Sequence, residues 1–218
     1  MVIPNGVEDD AYKLPRFNLD DNIGKYHPYI LFIGRISPVK NIEEIIKYVS
    51  KLKEVNLIIA GPIQDKVYFN RLHAISRQLN VDGRIKYIGE VLGEHKYKLI
   101  DNSIAVILLS KQEADPIVVK EAITRGKPVL INKLLQLSFF KKSMECIFVI
   151  NDVSTFRKLL IDILTNQKKY LKSGHRCRIK AKEWKWETVA KRTFKVYKTS
   201  LGGKVKWKPK NIRSGYSR

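Results

Sequence analysis

Six apolar runs of strand length recur along this chain with amphipathic segments between them, and that alternation restricts the fold more than any other feature. The runs are YILFIG (29–34), NLIIAG (56–61), RIKYIG (84–89), IAVILL (104–109), KPVLIN (127–132) and CIFVIN (146–151). Between them lie segments such as NIEEIIKYVSKLK and YFNRLHAISRQLN, with apolar residues at helical spacing. A run that is apolar at nearly every position needs cover on both of its faces. Strand and helix in regular alternation therefore predict an α/β fold, a doubly wound, Rossmann-like parallel sheet. From about residue 152 onward the pattern is purely helical, through DVSTFRKLLIDILTN and WETVAKRTFKVYKTSL, which adds C-terminal helices.

Three segments are expected. Residues 1–28 carry the turn signals Pro4-Asn5-Gly6 and His27-Pro28 and five acids, and read as a linker or lead-in. Residues 29–200 form the Rossmann-like domain. Residues 201–218 hold six cations, no acid and little apolar surface, and are expected to be disordered when alone.

Composition narrows the function. At 44% hydrophobic residues the chain is globular, and no apolar run approaches the roughly 20 residues of a membrane span. MVIPNGVEDD lacks the basic and apolar regions of a signal peptide. Cys146 and Cys177 make neither a disulfide framework nor a zinc spacing, so a reducing cytoplasmic location is the expectation. The net charge of +21 is uneven: residues 166–218 hold 18 Lys and Arg against two acids, whereas residues 1–165 hold 24 against 19. Such a region suits an anionic partner, and it is also what a solvated helix face with a frayed tail looks like. With Trp184, Trp186 and Trp207 as interfacial anchors, the expected partner is an anionic membrane, touched peripherally on its inner face. A basic nucleic-acid binder could stack bases on Trp184, Trp186, Trp207 and Tyr216, but the sequence has no RNA- or DNA-binding motif.

In an open parallel sheet, ligands bind at the carboxyl ends of the strands. GRISPVKNIEEII (34–46) falls at the end of the first run. Gly34 allows close backbone approach, the following helix offers free N–H groups, Arg35 offers a two-pronged donor and Lys40 a mobile charge. Together they describe a phosphate clamp, although the stretch alone also fits a solvated basic loop.

SKQEADPIVVKEAITRGKPVLI (110–131) follows the IAVILL run and reaches the same edge. Asp115-Pro116 reads as a helix start, with Asp as N-cap and Pro in the first turn. Glu113 precedes that cap and Glu121 follows eight residues after Glu113, inside the helix. Each carboxylate can accept from a pair of vicinal hydroxyls, as sugars present. Taken alone, Glu121 could equally be an exposed helix residue and Glu113 a loop acid near a helix end.

In this order and separation the two stretches resemble the nucleotide-sugar-binding half of GT-B glycosyltransferases of the large retaining class called group 1 or family GT4. The matching residues are Gly34-Arg35…Lys40, Glu113…Glu121-Ala122 and Gly126-Lys127-Pro128-Val129. IPNGVE (3–8) resembles that family's interdomain link, AGP (60–62) and YIGEV (87–91), with Gly89, fall where the family has them, and WKWETVAKRTFKVY resembles its closing helix. The resemblance spans about residues 3–200.

The resemblance implies a donor-binding domain that transfers a sugar from a nucleoside-diphosphate sugar to an acceptor with retention of configuration. Arg35 and Lys40 would hold the diphosphate, Glu121 the ribose hydroxyls, and Glu113 would face the transferred sugar. Gly34 and Gly89 would line the donor. Glu113, Arg35 and Lys40 would form the catalytic set, and no metal would be needed. The acceptor, a glycan, lipid or protein, would be bound by an N-terminal GT-B domain or a partner chain, and the chain would be incomplete as an enzyme without it. A non-catalytic nucleotide-sugar-binding subunit would keep the same residues. The chain departs from the family at Ala114-Asp115-Pro116, where a small Gly-rich run is usual, at Lys120, where an apolar residue is usual, and at Asn132-Lys133-Leu134-Leu135, where a Gly pair is usual.

Overall fold

A computed structural model describes residues 3–15, 17–18, 21–133 and 144–202 of the chain. Of the tail expected over 201–218, residues 203–218, with Trp207 and Tyr216, lie outside the described residues, as do Leu134 and Leu135.

Each of the six apolar runs contains a strand. They are β1 (Tyr29–Ile33), β2 (Asn56–Ala60), β3 (Ile85–Tyr87), β4 (Ala105–Leu108), β5 (Val129–Ile131) and β6 (Ile147–Val149). All pair in parallel in the order β3-β2-β1-β4-β5-β6. In β1, Tyr29, Ile30, Leu31 and Phe32 are all fully buried. Successive strand residues point to opposite faces, so both faces of the sheet are covered. The cover comes from α2 (Ile42–Ser50), α3 (Lys66–Gln78), α4 (Gly93–Asn102), α5 (Ile117–Thr124), α6 (Val153–Thr165), α7 (Gln167–Lys180) and α8 (Trp186–Ser200); a single turn, α1 (Asp21–Gly24), precedes β1. Asp65 and Asp152 cap α3 and α6, accepting from the N–H of Tyr68 at 2.9 Å and of Thr155 at 2.7 Å.

Some strands are shorter than their apolar runs, for local reasons. Arg84 leaves the β3 run to donate to carbonyls at the end of α2 and beyond it, Val49, Leu52 and Val55. Gly89, at φ 72°, turns the chain after β3.

The lead-in is tied to the domain. Val7 and Ala11 are fully buried, and the Val7 N–H donates to the Trp184 carbonyl at 2.8 Å. Trp184 is itself buried, which removes it as a membrane anchor or a base-stacking surface. Cys146 and Cys177 are free thiols, both buried, with the Cys146 N–H donating to Cys177 Sγ at 3.2 Å.

Two glycine contacts set how closely elements approach. A Cβ on Gly61 would stand 2.0 Å from the Gly34 carbonyl oxygen, so the ends of β1 and β2 pinch together. A Cβ on Gly174 of α7 would stand 2.0 Å from the Gly126 carbonyl oxygen, just after α5. Replacing a helical glycine by alanine ordinarily stabilises a helix by about 1 kcal/mol. At Gly174 the sign is expected to reverse, with a loss of about 1–3 kcal/mol from overpacking against backbone. Urea unfolding of Gly174→Ala checks this, with Gly83→Ala, where a Cβ meets nothing within 4 Å, expected to stay near neutral.

Candidate functional site

β1 has neighbours on both sides, and the strand order departs from it in two directions, to β2 and to β4. The connections that follow the carboxyl ends of β1 and β4 therefore run to opposite sides of the sheet, and a crevice opens at that edge. A cleft of about 650 Å³ lies there. Its walls include Gly34, Arg35, Lys40, Glu113 and Glu121, which the sequence places more than 70 residues apart between first and last. A wider depression of about 910 Å³ continues from it past Arg35, Lys40 and Glu113. Gly89 does not line the cleft; its carbonyl accepts from the Gly61 N–H at 2.6 Å, and the next residue, Glu90, reaches the wall.

The cations behave differently. Arg35 is exposed, with no partner recorded among the described residues. Lys40 Nζ lies 2.5 Å from Glu113 Oε1, which also accepts from the Ser110 hydroxyl at 2.7 Å. The Lys111 N–H donates to the Val39 carbonyl at 2.8 Å, so the two loops are also joined through backbone.

Glu121 is not the exposed helix residue that its position also allowed. It is buried, 4% exposed, with Lys96 Nζ of α4 at 2.7 Å and the Tyr97 hydroxyl at 3.1 Å, both on Oε1. Burial raises the Glu121 pKa, and Lys96 pulls it back down. Burial also raises the Tyr97 pKa, reinforced by Glu121 and Glu8, so Tyr97 stays a neutral donor.

Two sequence expectations are corrected here. The first turn of α2 does not offer free N–H groups, because the Tyr68 hydroxyl accepts from Ile42 N at 2.9 Å and Glu43 N at 3.4 Å. It is α5 whose first turn, at Ile117 and Val118, opens onto the cleft. Asp115 is not the cap of α5 either; Pro116 stands at the cap position without a side-chain bond. The Asp115 carboxylate instead accepts from the Asn5 N–H at 2.7 Å and from Lys120 at 2.6 Å, and Lys120 also donates to the Asn5 carbonyl at 2.8 Å. Lys96, the Asn5 contacts and the place of Trp186 in the cleft wall, where the sequence read only a surface anchor, were not found from sequence, since each depends on a fold contact between distant segments.

The Lys120–Asp115 pair holds the lead-in against the loop that carries Glu113. Lys120 is fully buried, whereas Asp115 remains one-fifth exposed. Burial lowers the Lys120 pKa and Asp115 opposes that shift. Removing one partner of a buried pair costs about 3–5 kcal/mol when the survivor cannot reach water. Asp115→Ala takes the carboxylate from a buried lysine that keeps its bond to the Asn5 carbonyl and is expected toward the lower end of that range, whereas Lys120→Met leaves a carboxylate that hydrates and is expected to cost clearly less. Thermal unfolding of the two variants checks the order.

Comparison with known proteins places this geometry. The chain is 27% identical over 214 residues to an uncharacterized glycosyltransferase of Methanocaldococcus jannaschii, covering 92% of this chain and 54% of that protein. Its fold matches sucrose-phosphate synthase from Thermosynechococcus elongatus with a TM-score of 0.77 at 18% identity, over 92% of this chain and 52% of that one. It also matches Anabaena HepE, solved in complex with UDP and glucose, with a TM-score of 0.76 at 19% identity, over 92% of this chain and 56% of that one. The chain thus spans about half the length of these relatives. Residues 19–184 match the model of the glycosyl transferases group 1 family, and the chain belongs to that family.

Proposed function

We propose that this chain is the donor-binding half of a retaining glycosyltransferase of the GT4 kind, which moves a sugar from a nucleoside-diphosphate sugar to an acceptor. The observation that carries the reading is the meeting of Arg35, Lys40, Glu113 and Glu121 in one cleft at the point where the strand order reverses. HepE, a fold relative, is solved with UDP and glucose, which supports a nucleoside-diphosphate donor.

In this reading Arg35 grips phosphate oxygens with its planar fork, and the first-turn amides of α5 add donors with the helix dipole behind them. Lys40 leaves Glu113 for the diphosphate, and Glu113 turns toward the sugar. Glu121 Oε2 accepts from the ribose hydroxyls while Lys96 keeps the carboxylate in place. As the glycosidic bond breaks, charge gathers on the leaving phosphate, and fixed cations lower that barrier without requiring a metal. A second domain or chain brings the acceptor and excludes water. If the chain binds donor but never turns over when its other half is supplied, it is a non-catalytic nucleotide-sugar-binding subunit instead.

Calorimetry with UDP and GDP tests the clamp. Arg35→Ala is expected to lose about 1.5–3 kcal/mol of binding free energy, the range of a charged hydrogen bond; unchanged affinity would remove Arg35 from the clamp.

Glu121→Gln is expected to weaken ribonucleotides more than their 2′-deoxy forms, because a neutral amide accepts less strongly from hydroxyls. Burial raises the Glu121 pKa, so ribonucleotide affinity in the wild type should fall, as pH drops, at a pH above the usual glutamate range. Equal losses for ribo and deoxy ligands would exclude Glu121 from the ribose contact.

A further inference from the structure

The outer face of α7 combines charge and apolar surface that the donor cleft does not use. Gln167–Lys180 contains six Lys and Arg and no acid. Its inner side, Tyr170, Gly174 and Cys177, is buried. On the outer side Leu171, His175 and Ile179 follow one another at a spacing of four, one above the next on the helix. Leu171 is 70% exposed and Ile179 53% exposed. Lys168 and Lys172 flank this stripe, are exposed, and have no ion-pair partner recorded among the described residues. We propose that this face of α7 docks the protein on an anionic lipid bilayer.

The site has an apolar neighbour. Leu171 shares a groove of about 320 Å³ with Phe17, which is 67% exposed. Arg178 donates to the carbonyls of Tyr12 and Lys13, at 3.1 and 2.8 Å, and so holds the lead-in beside α7. The groove also touches Ser103, Ile104 and Pro128, which precede β4 and β5. It therefore lies at the amino-terminal edge of the sheet, opposite the donor cleft. A domain or acceptor closing over the cleft leaves the Leu171 end of α7 uncovered.

The chemistry selects the partner. A basic helix with exposed aliphatic side chains between its lysines suits a bilayer, where the aliphatics enter the acyl boundary and the cations meet lipid headgroups. Nucleic acid would favour several exposed rings for stacking; at this site Phe17 is exposed beside the aliphatic Leu171 and Ile179, and Tyr170 of α7 is buried. The expected attachment is peripheral and weakened by salt.

Co-sedimentation of the whole chain with phosphatidylcholine vesicles, with and without phosphatidylserine, tests this at low and high salt. Binding is expected on the phosphatidylserine vesicles at low salt, and not on neutral vesicles or at high salt. Two double variants locate it: Leu171→Ser with Ile179→Ser, and Lys168→Glu with Lys172→Glu. All four residues are exposed, so the fold is expected to survive. Each double variant is expected to lower the partition coefficient about tenfold or more, with UDP binding unchanged, so this proposal and the donor-site reading fail separately. No binding to anionic vesicles at low salt overturns the proposal, and so does binding that both variants leave intact. Tighter binding to a single-stranded oligonucleotide than to vesicles, indifferent to Leu171→Ser with Ile179→Ser, would make this a nucleic-acid surface and overturn it as well.

Discussion

Parallel pairing of β1 with strands on both sides is the constraint on which the rest of this molecule depends. Leu31 is opposite Ile58 on one side and Val106 on the other. A strand so placed has no free edge and no wet face, so its side chains can be apolar throughout. Polar chemistry is pushed to the strand ends, where the chain must turn. Because the connections depart from β1 in two directions, a crevice opens at this edge beside the loops after β1 and β4, which meet at the Lys111–Val39 hydrogen bond and the Lys40–Glu113 pair. The Gly61–Gly34 contact draws the ends of β1 and β2 together, while the end of β4 stays across the opening.

α5 does two jobs with adjacent residues. Lys120 and Glu121 are both buried, yet successive helix residues point about 100° apart. Lys120 reaches back to Asp115 and the Asn5 carbonyl, fixing the lead-in against the site loop. Glu121 reaches Lys96 of α4 and faces the cleft. Asp115 joins both arrangements, because it lines the cleft and also holds the Asn5 N–H. Movement of the lead-in is therefore felt at the loop that carries Glu113. The same helix ends where Gly126 meets Gly174, so α7 seats against the turn after α5 with no side chain between.

The strands were legible because burial on two faces leaves a continuous apolar signature that no surface helix copies. Helix positions were legible for a similar reason, although the caps Asp65 and Asp152 were not read from the sequence. Which cation stands where was not. Arg35 and Lys40 were paired in sequence as one clamp, yet Arg35 is open to solvent and Lys40 is held by Glu113, since ion pairing depends on what another loop brings near. Asp115 before Pro116 carries the local signal of a cap, and a buried lysine one turn later outbid the backbone for its carboxylate. The free amides expected at α2 were lost to Tyr68, a residue of α3 that no local pattern connects to that helix end. Trp184 was read as a surface anchor from the charge around it, but the charged neighbours ring a helical turn whose tryptophan fills the core. Local patterns thus report periodicity and burial well, and report partners poorly when those partners come from far along the chain.

The Lys40–Glu113 pair gives the resting cleft a particular electrostatic character under the proposed function. Both side chains are largely out of water, at 16% and 11% exposure, so neither can be left without a counter-charge at low cost. Each serves as the other's partner, and the Ser110 hydroxyl shares the load on Glu113. A diphosphate brings more negative charge than one carboxylate and more oxygens to hydrogen-bond, so it can compete for Lys40. In that proposed reading Glu113 would lose its strongest partner as a sugar hydroxyl arrives to donate to it. Such an exchange would avoid stranding either charge and would tie donor binding to the position of Glu113. Arg35, exposed in the same cleft and with no carboxylate partner among the described residues, would meet incoming phosphates in that reading before the exchange begins.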